Sequence, residues 1–372
     1  MFDYSEQIEA FREEKVRLPK GFKEKLFAHR DSNRDRLISR LPKRIEGLSI
    51  SQSSFKPQGS SAVRTIVQTK FVYEEYDIDD GLVLWRDELV DDDGNELTAA
   101  QVKEHVFEAL KDSRFVKQPN MAANAIRVYY KESDEERHHI DFPIYRKYEK
   151  ENGDMVRELA GEFGWTESDP TQLNHWFNNE VKSRNTEVGG KGTQMRRLIQ
   201  LLKRFCRSRY AWDMPNGMKL TMLVVECQPA FHDRLDLAFR RLLEELKDRL
   251  EDDKVILNLA HPDKPAITRT EADDNVLEFL SKINEALEKL GALDTPDHQD
   301  TKSARDAWEW VFQSDGYFRD YDMAKEEKEQ KAARLKAVAA TITAGTARTS
   351  SIGGLGSVGV PNLPHRFYGD IF

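Results

Sequence analysis

The sequence predicts an α+β protein of two lobes, a mixed β-sheet with helices packed on a C-terminal helical bundle, and two patterns carry that reading. Apolar and polar residues alternate over 67–84, 126–130 and 139–145, the period of two that marks half-buried strands. From Asp169 onward the apolar residues instead recur every three or four positions, over 172–182, 193–209, 230–251, 273–290 and 303–312, as in helices that bury one face. The chain of 372 residues is long enough for both lobes.

The other elements follow in order. Residues 20–41 carry Phe22, Leu26, Phe27, Leu37, Ile38 and Leu41 at mostly helical spacing between Pro19 and Pro42, which predicts one or two long helices. Residues 47–59, rich in Ser and Gly with Pro57, have loop chemistry. Thr98 with Gln101 forms a capping box that opens a helix to about residue 111, and the polar turn 131–137 joins two strands into a hairpin. Residues 323–336 are heavily charged, and the Ala/Thr/Gly/Ser-rich run 337–360 has no periodicity, which predicts a mobile segment.

Composition narrows the function. Hydrophobic residues at 39% sustain a core, while 33% charge makes a heavily solvated exterior. A net charge of −9 argues against a surface that grips nucleic acid throughout and leaves room only for a local basic groove. The longest apolar stretches, such as 220–225, fall far short of the roughly 20 residues of a membrane span. The acid-peppered start lacks the layout of a secretory signal, so a cytoplasmic location is expected, with Cys206 and Cys227 as free thiols.

Three carboxylates stand out: Asp77 and Asp79 in Tyr76-Asp-Ile-Asp-Asp-Gly81, and Asp141 in His138-His-Ile-Asp-Phe-Pro143. On an extended chain residues two apart face the same way, so Asp77 and Asp79 project together while Ile78 turns to the other side. Asp141 sits likewise between Ile140 and Phe142. If the two strands are neighbours, three acids converge over an apolar underside, an arrangement that calls for divalent cations between them. Upstream, Gln58-Gly-Ser-Ser61 offers a close backbone approach and neutral donors to a phosphate. Each piece has a plainer reading. A lone Gly-Ser is most often only a turn, and an acidic strand can simply be a solvated edge that deters aggregation. Asp77, Asp79 and Glu88 also fall at positions 1, 3 and 12 of a calcium loop, but its sixth position, a glycine in such loops, is Leu82. The combination, in order and on strands, has the pattern of a polymerase-β-like nucleotidyltransferase palm, where two metals clamp the attacking hydroxyl and the leaving pyrophosphate.

The predicted helix 193–209 supplies the facing wall. Arg196, Gln200, Lys203 and Arg207 form one polar stripe opposite Met195, Leu198, Leu201, Leu202 and Phe205. Such a stripe is commonly just solvated, which is the reading for Arg207. For Lys203 a phosphate contact is expected, because a cleft holding three acids and a triphosphate needs a countercharge.

At these residues the sequence resembles the cGAS/DncV-like nucleotidyltransferases (CD-NTases), close to the bacterial cyclic GMP-AMP synthases. Gln58-Gly-Ser-Ser61, Asp77-Ile-Asp-Asp-Gly81 and His139-Ile-Asp-Phe-Pro143 match their active-site strings, and 195–203 resembles their lobe-bridging helix. The likeness extends to Asp169-Pro170, Trp176-Phe177 and Trp212-Asp213, and so covers roughly residues 18–230, more weakly to 320. It implies N-terminal helices bracing both lobes (1–45), a nucleotidyltransferase catalytic core (46–165), a helical lobe (166–325) and a charged, then flexible tail (326–372). By the same resemblance Asp77 and Asp79 hold two Mg²⁺ ions, with Mn²⁺ as a substitute, and Asp141 binds the catalytic metal and helps deprotonate the acceptor hydroxyl. Gln58, Gly59 and Ser60 cradle the donor triphosphate, Lys203 contacts its phosphates, and Arg127 contacts nucleotide. Thr221 falls near a family serine, where the alignment slips.

The activity so implied is template-independent joining of ATP with GTP, or other nucleoside triphosphates, into a cyclic di- or oligonucleotide messenger, with release of pyrophosphate, in bacterial antiphage (CBASS) signalling. Regulatory or effector proteins of the same defence system are the implied partners, and no membrane. No animal-type zinc insertion is present, so DNA activation is not implied. The chain ends Phe367-Tyr-Gly-Asp-Ile-Phe372 where some relatives end in a small residue that is conjugated to a partner, so such conjugation would require the tail to be processed. Two rivals remain: an antitoxin-like enzyme that modifies RNA or a protein, and a catalytically silent scaffold, against which the presence of all three acids counts.

Overall fold

The alternating segments are realised as one mixed sheet. The computed structural model describes residues 1–71, 74–131, 137–184, 193–344, 346, 348–350, 355–356 and 359–361. They fall into two units, Met1–Gln313 and Ser314–Phe372. In the first unit the order is α1 (Ser5–Phe11), α2 (Lys20–Arg40), β1 (Phe55–Pro57), α3 (Gly59–Ala62), β2 (Tyr76–Trp85), α4 (Ala99–Leu110), β3 (Asn120–Met121), β4 (Ile126–Lys131), β5 (Arg137–Phe142), β6 (Ile144–Glu149), β7 (Met155–Gly161) and β8 (Gly164–Glu167). The helices α5 (Gln172–Arg184), α6 (Gln194–Cys206), α7 (Gly217–Cys227), α8 (Leu235–Asp252), α9 (Asp274–Gly291) and α10 (Thr301–Phe312) follow. The second unit holds α11 (Tyr317–Thr343) and the short strands β9 (Arg348–Thr349), β10 (Leu355–Gly356) and β11 (Val360–Pro361).

Strand β2 is the spine of the sheet. It pairs in parallel with β5 and, with the same offset, with β6, so β5 and β6 are one run interrupted at Pro143, which cannot donate to a ladder. Strand β1 lies antiparallel to β2, β4 to β5, and β7 to β6. One face carries Ile78, Leu82, Leu84, Ile126, Val128, Ile140 and Phe142 against Val102, Val106 and Leu110 of α4 and Leu26 and Leu37 of α2. Each such side chain contributes about 1.5–3 kcal/mol by leaving water. Asp80 points into the same apolar side, fully buried, and its two oxygens accept from Arg34 Nε and Nη2 at 2.6 Å each, which ties α2 to β2. The other face is left for chemistry.

Several boundaries differ from the sequence reading. Strand β2 begins at Tyr76, not at 67. Ahead of it, the Lys70 and Phe71 amides donate to Glu74 Oε2 and the Thr69 amide to the Tyr76 hydroxyl, so side chains take the place of a ladder. Helix α8 begins at Leu235 because the Gln194 side chain accepts from the His232 amide and donates to the Ala230 carbonyl, fixing 230–232 as loop. Helix α7 was legible only as an apolar run, since Lys219–Val225 is buried all round and shows no period. In the tail, α11 continues through Thr343, so the start of the segment expected to be mobile is helical. Ala337, Ala339 and Ala340 are the best of helix formers.

The capping box is formed: Thr98 Oγ1 accepts from the Gln101 amide and Gln101 Oε1 from the Thr98 amide. The centre of the predicted hairpin turn (132–136) and the chain end (367–372) lie outside the described residues. Both cysteines are free, and burial pushes the Cys206 thiol well up and that of Cys227 up to about 12. Among the described residues no helix is long and apolar enough to cross a membrane.

Candidate active site

The parallel register of β2 and β5 sets Asp77 beside His139 and Asp79 beside Asp141. Period-two geometry turns all four away from the apolar core. Asp77, His139 and Asp141 each present a ligand atom within 4.8 Å of the others, a group able to hold a metal ion. Asp79 adjoins them. Burial first, and then the charges of Asp77 and Asp141, push its carboxyl up to about 7. An oxygen-rich set that leaves one carboxyl reluctant to ionise fits a hard divalent cation.

Two basic side chains face this charge. Arg127 faces Asp141 across the β4–β5 ladder and grips it bidentately, Nε to Oδ1 at 2.8 Å and Nη2 to Oδ2 at 2.7 Å, which raises the guanidinium pKa. The sequence reading expects Arg127 on nucleotide; in this structure its partner is Asp141. His139 lies with Nδ1 3.0 Å from Glu75 Oε2 and Nε2 3.2 Å from Asp77 Oδ1. Burial alone would lower its pKa, but the bond and charge of Asp77 outweigh that and leave it raised. The sequence reading did not include His139 or Glu75, although each lies two positions before an acid it did include, His139 on the same face of β5 as Asp141 and Glu75 just ahead of β2.

The Gly-Ser turn reaches this site because β1 pairs with β2, setting Pro57 opposite Asp80. The Gln58 amide donates to the Asp79 carbonyl at 2.9 Å. Gly59 then turns back at φ +61°, where a Cβ would stand 2.2 Å from Asp79 Oδ2, so position 59 has room for glycine alone. The Gln58 side chain packs on Gly81 and accepts from the Tyr145 hydroxyl, while its buried Nε2 has no hydrogen-bond partner among the described residues. Ser60 lines a cavity of about 60 Å³ together with Thr65, Asp77 and Lys203.

Helix α6 closes the site. Its apolar stripe is buried as expected, and Arg207 is exposed. The rest of its polar stripe is not solvated: Arg196 donates to the Val63 carbonyl at 3.0 Å, Gln200 to that of Arg64 at 3.2 Å, and Lys203 to that of Thr65 at 3.1 Å. Three successive side chains of the stripe thus hold three successive carbonyls just after the Gly-Ser turn. Lys203 is 6% exposed, and burial, with the nearby charge of Arg207, pulls its pKa down to about 7. It also borders a second cavity of about 370 Å³ that runs on to Trp212 and Asn216. Thr221 is spent within its own helix, donating to the Gly217 carbonyl at 2.7 Å.

Comparison with known proteins gives matches in both sequence and fold. Residues 53–145 match the family model described as "Cyclic GMP-AMP synthase DncV-like, nucleotidyltransferase domain". The Vibrio cholerae DncV cyclic AMP-GMP synthase, in complex with the linear intermediate 5′ pppA(3′,5′)pG, superposes with a TM-score of 0.64 at 16% identity, covering 84% of this chain and 96% of that one. Its complex with nonhydrolyzable GTP gives 0.65 at 16%, covering 84% and 96%. Escherichia coli DncV in its 3′-deoxy GTP bound form gives 0.59 at 17%, covering 80% and 92%. At such identities the likeness is one of fold.

Proposed function

We propose that this chain, a nucleotidyltransferase whose residues 53–145 form a DncV-like domain, joins ATP with GTP, or other nucleoside triphosphates, into a cyclic di- or oligonucleotide. The observation that carries this reading is the convergence of Asp77, Ser60 and Lys203 on one cavity, with Asp79 and Asp141 beside it. That arrangement supplies what phosphoryl transfer needs, which is positioning and charge neutralisation.

Gln58, Gly59 and Ser60 receive the donor triphosphate, and Lys203 gives it a countercharge. Asp77, Asp79 and Asp141 would hold Mg²⁺ or Mn²⁺, which when bound neutralises charge on the attacking and leaving oxygens. A ribose hydroxyl of the acceptor attacks the donor α-phosphorus, and the bond from that phosphorus to the bridging oxygen breaks. Pyrophosphate leaves with the bonding pair. Asp141 takes the hydroxyl proton after Arg127 has turned from it to nucleotide. A second transfer of the same kind closes the ring. The linear pppA(3′,5′)pG bound by the Vibrio cholerae protein is what a first transfer between ATP and GTP leaves, which supports the same order here. The product serves CBASS antiphage signalling in the cytoplasm by activating a separate effector protein.

Pyrophosphate release from nucleoside triphosphates and Mg²⁺ alone tests the acceptor: release without added RNA or protein is expected, and release only on adding one of them would contradict a small-molecule acceptor. Lys203 gives an independent check. Its folded pKa of about 7 leaves it mostly neutral at pH 8, and a triphosphate beside it favours the charged form. Nucleotide binding at pH 8 should therefore take up close to one proton, read by calorimetry in buffers of different ionisation enthalpy. Lys203→Met should abolish the uptake.

A further inference from the structure

The segment after α1 reaches the Gly-Ser turn through buried contacts. Residues Arg12–Val16 form one π-helical turn, and Arg12, 1% exposed, donates from Nη1 to Gln200 Oε1 at 2.8 Å. The other end of that amide, Nε2, donates to the Arg64 carbonyl at 3.2 Å. Arg64 stands at φ +62°, a left-handed conformation that a non-glycine residue keeps only where its surroundings hold it. Its neighbours are held as well, Val63 by Arg196 and Thr65 by Lys203, and the Thr65 amide closes back on the Ser60 carbonyl at 2.9 Å. The same N-terminal segment also grips the far end of this stretch. The Gln68 amide donates to the Val16 carbonyl at 2.8 Å, and the Gln68 side chain donates to the carbonyls of Glu14 and Arg17. Arg12 is itself fixed by Glu13 and by Glu9 at 3.4 Å, and Glu9 also pairs with Arg197 of α6.

We infer that Arg12 and Gln200 are positioning residues: through the Gln200 amide, Arg12 holds the strained Arg64 turn, and with it the Ser60–Thr65 stretch, in the geometry that receives a triphosphate. The role assigned to the triphosphate rests on the proposed function; the mechanical link does not. Neither residue lines either cavity of the site. Both act through the backbone of 60–65, so the N-terminal segment sets nucleotide affinity from outside the site.

The test uses the full chain with Arg12→Met, Gln200→Leu, their double variant and Gln200→Glu. Gln200→Glu keeps an acceptor for Arg12 and loses only the donor to Arg64, so it serves if either of the others fails to fold. Deuterium exchange over 60–65 without nucleotide should quicken in every variant, because the exchange rate reports local opening. Calorimetry with a nonhydrolysable ATP analogue and Mg²⁺ should show affinity falling about five- to ten-fold, the worth of about one hydrogen bond, and KM should rise accordingly with kcat within about two-fold. The double variant should be no worse than Gln200→Leu alone. Unchanged exchange over 60–65, or additive effects of Arg12→Met and Gln200→Leu, would overturn the link. If exchange responds as expected while the wild-type protein binds no nucleoside triphosphate, the link stands and the functional reading fails.

Discussion

Asp79→Asn abolishes nucleotidyl transfer and at the same time raises the stability of the metal-free protein. The expected loss of rate is at least about 10³-fold, since a metal-clamped transfer owes several kcal/mol to the carboxylates that hold the cation. The gain in stability has an electrostatic cause. Burial and the charges of Asp77 and Asp141 lift the Asp79 carboxyl to about 7, well above its value in an unfolded chain. Between about pH 4 and pH 7 the folded state therefore keeps a proton that the unfolded chain has released, and metal-free stability falls as the pH rises through that window. Asparagine carries no charge, so this slope should disappear. Melting curves in EDTA at pH 5.5 and pH 8 check it: the wild type should lose more stability between them than Asp79→Asn does. Mg²⁺ should recover that loss in the wild type and have little effect in the variant.

Gly59→Ala strikes the same carboxylate from the other side. The added Cβ would have to share space with Asp79 Oδ2, 2.2 Å away, in a backbone conformation that L-residues avoid. Either Asp79 turns out of the site or the turn opens. Transfer should fall by about 10²-fold, with weaker Mg²⁺ binding, since a misplacement of about 1 Å is enough for such a loss. Backbone strain alone should cost about 1–2 kcal/mol of stability. Ser60→Ala, at a neighbouring position with no such constraint, should leave stability almost untouched, so comparing the two variants by melting and by Mn²⁺ titration separates the steric effect from the loss of a phosphate donor.

The strand period carried most of what the sequence could say about the site. Asp77, Asp79 and Asp141 were legible because alternation fixes which side chains share a face, and the same rule put Ile78, Ile140 and Phe142 in the core where they are found. It applied equally to His139, which shares a face of β5 with Asp141, whereas its hydrogen bond to Glu75, just ahead of β2, depends on the β2–β5 register. The Arg127–Asp141 pair likewise depends on the register of two strands, which the pattern within each strand does not fix. The polar stripe of α6 was legible as a stripe, but its partners were not. Backbone carbonyls at 63–65 carry no signature in the sequence, so the hydrogen bonds that Arg196 and Gln200 donate to them could not be read from the stripe. Helix α7 shows the complementary failure, since a helix buried on every side has no amphipathic period to read.

Synthesis of a cyclic oligonucleotide is tested most directly by the product itself. Purified protein would be incubated with Mg²⁺ and all four labelled ribonucleoside triphosphates, treated with phosphatase, and analysed by mass spectrometry beside Asp77→Ala/Asp79→Ala. A phosphatase-resistant cyclic oligonucleotide that the variant does not make is the predicted result, and its mass names the bases. If the wild type makes no such product with Mg²⁺ or Mn²⁺, while label passes to an added RNA or protein, the cyclic-nucleotide reading is contradicted.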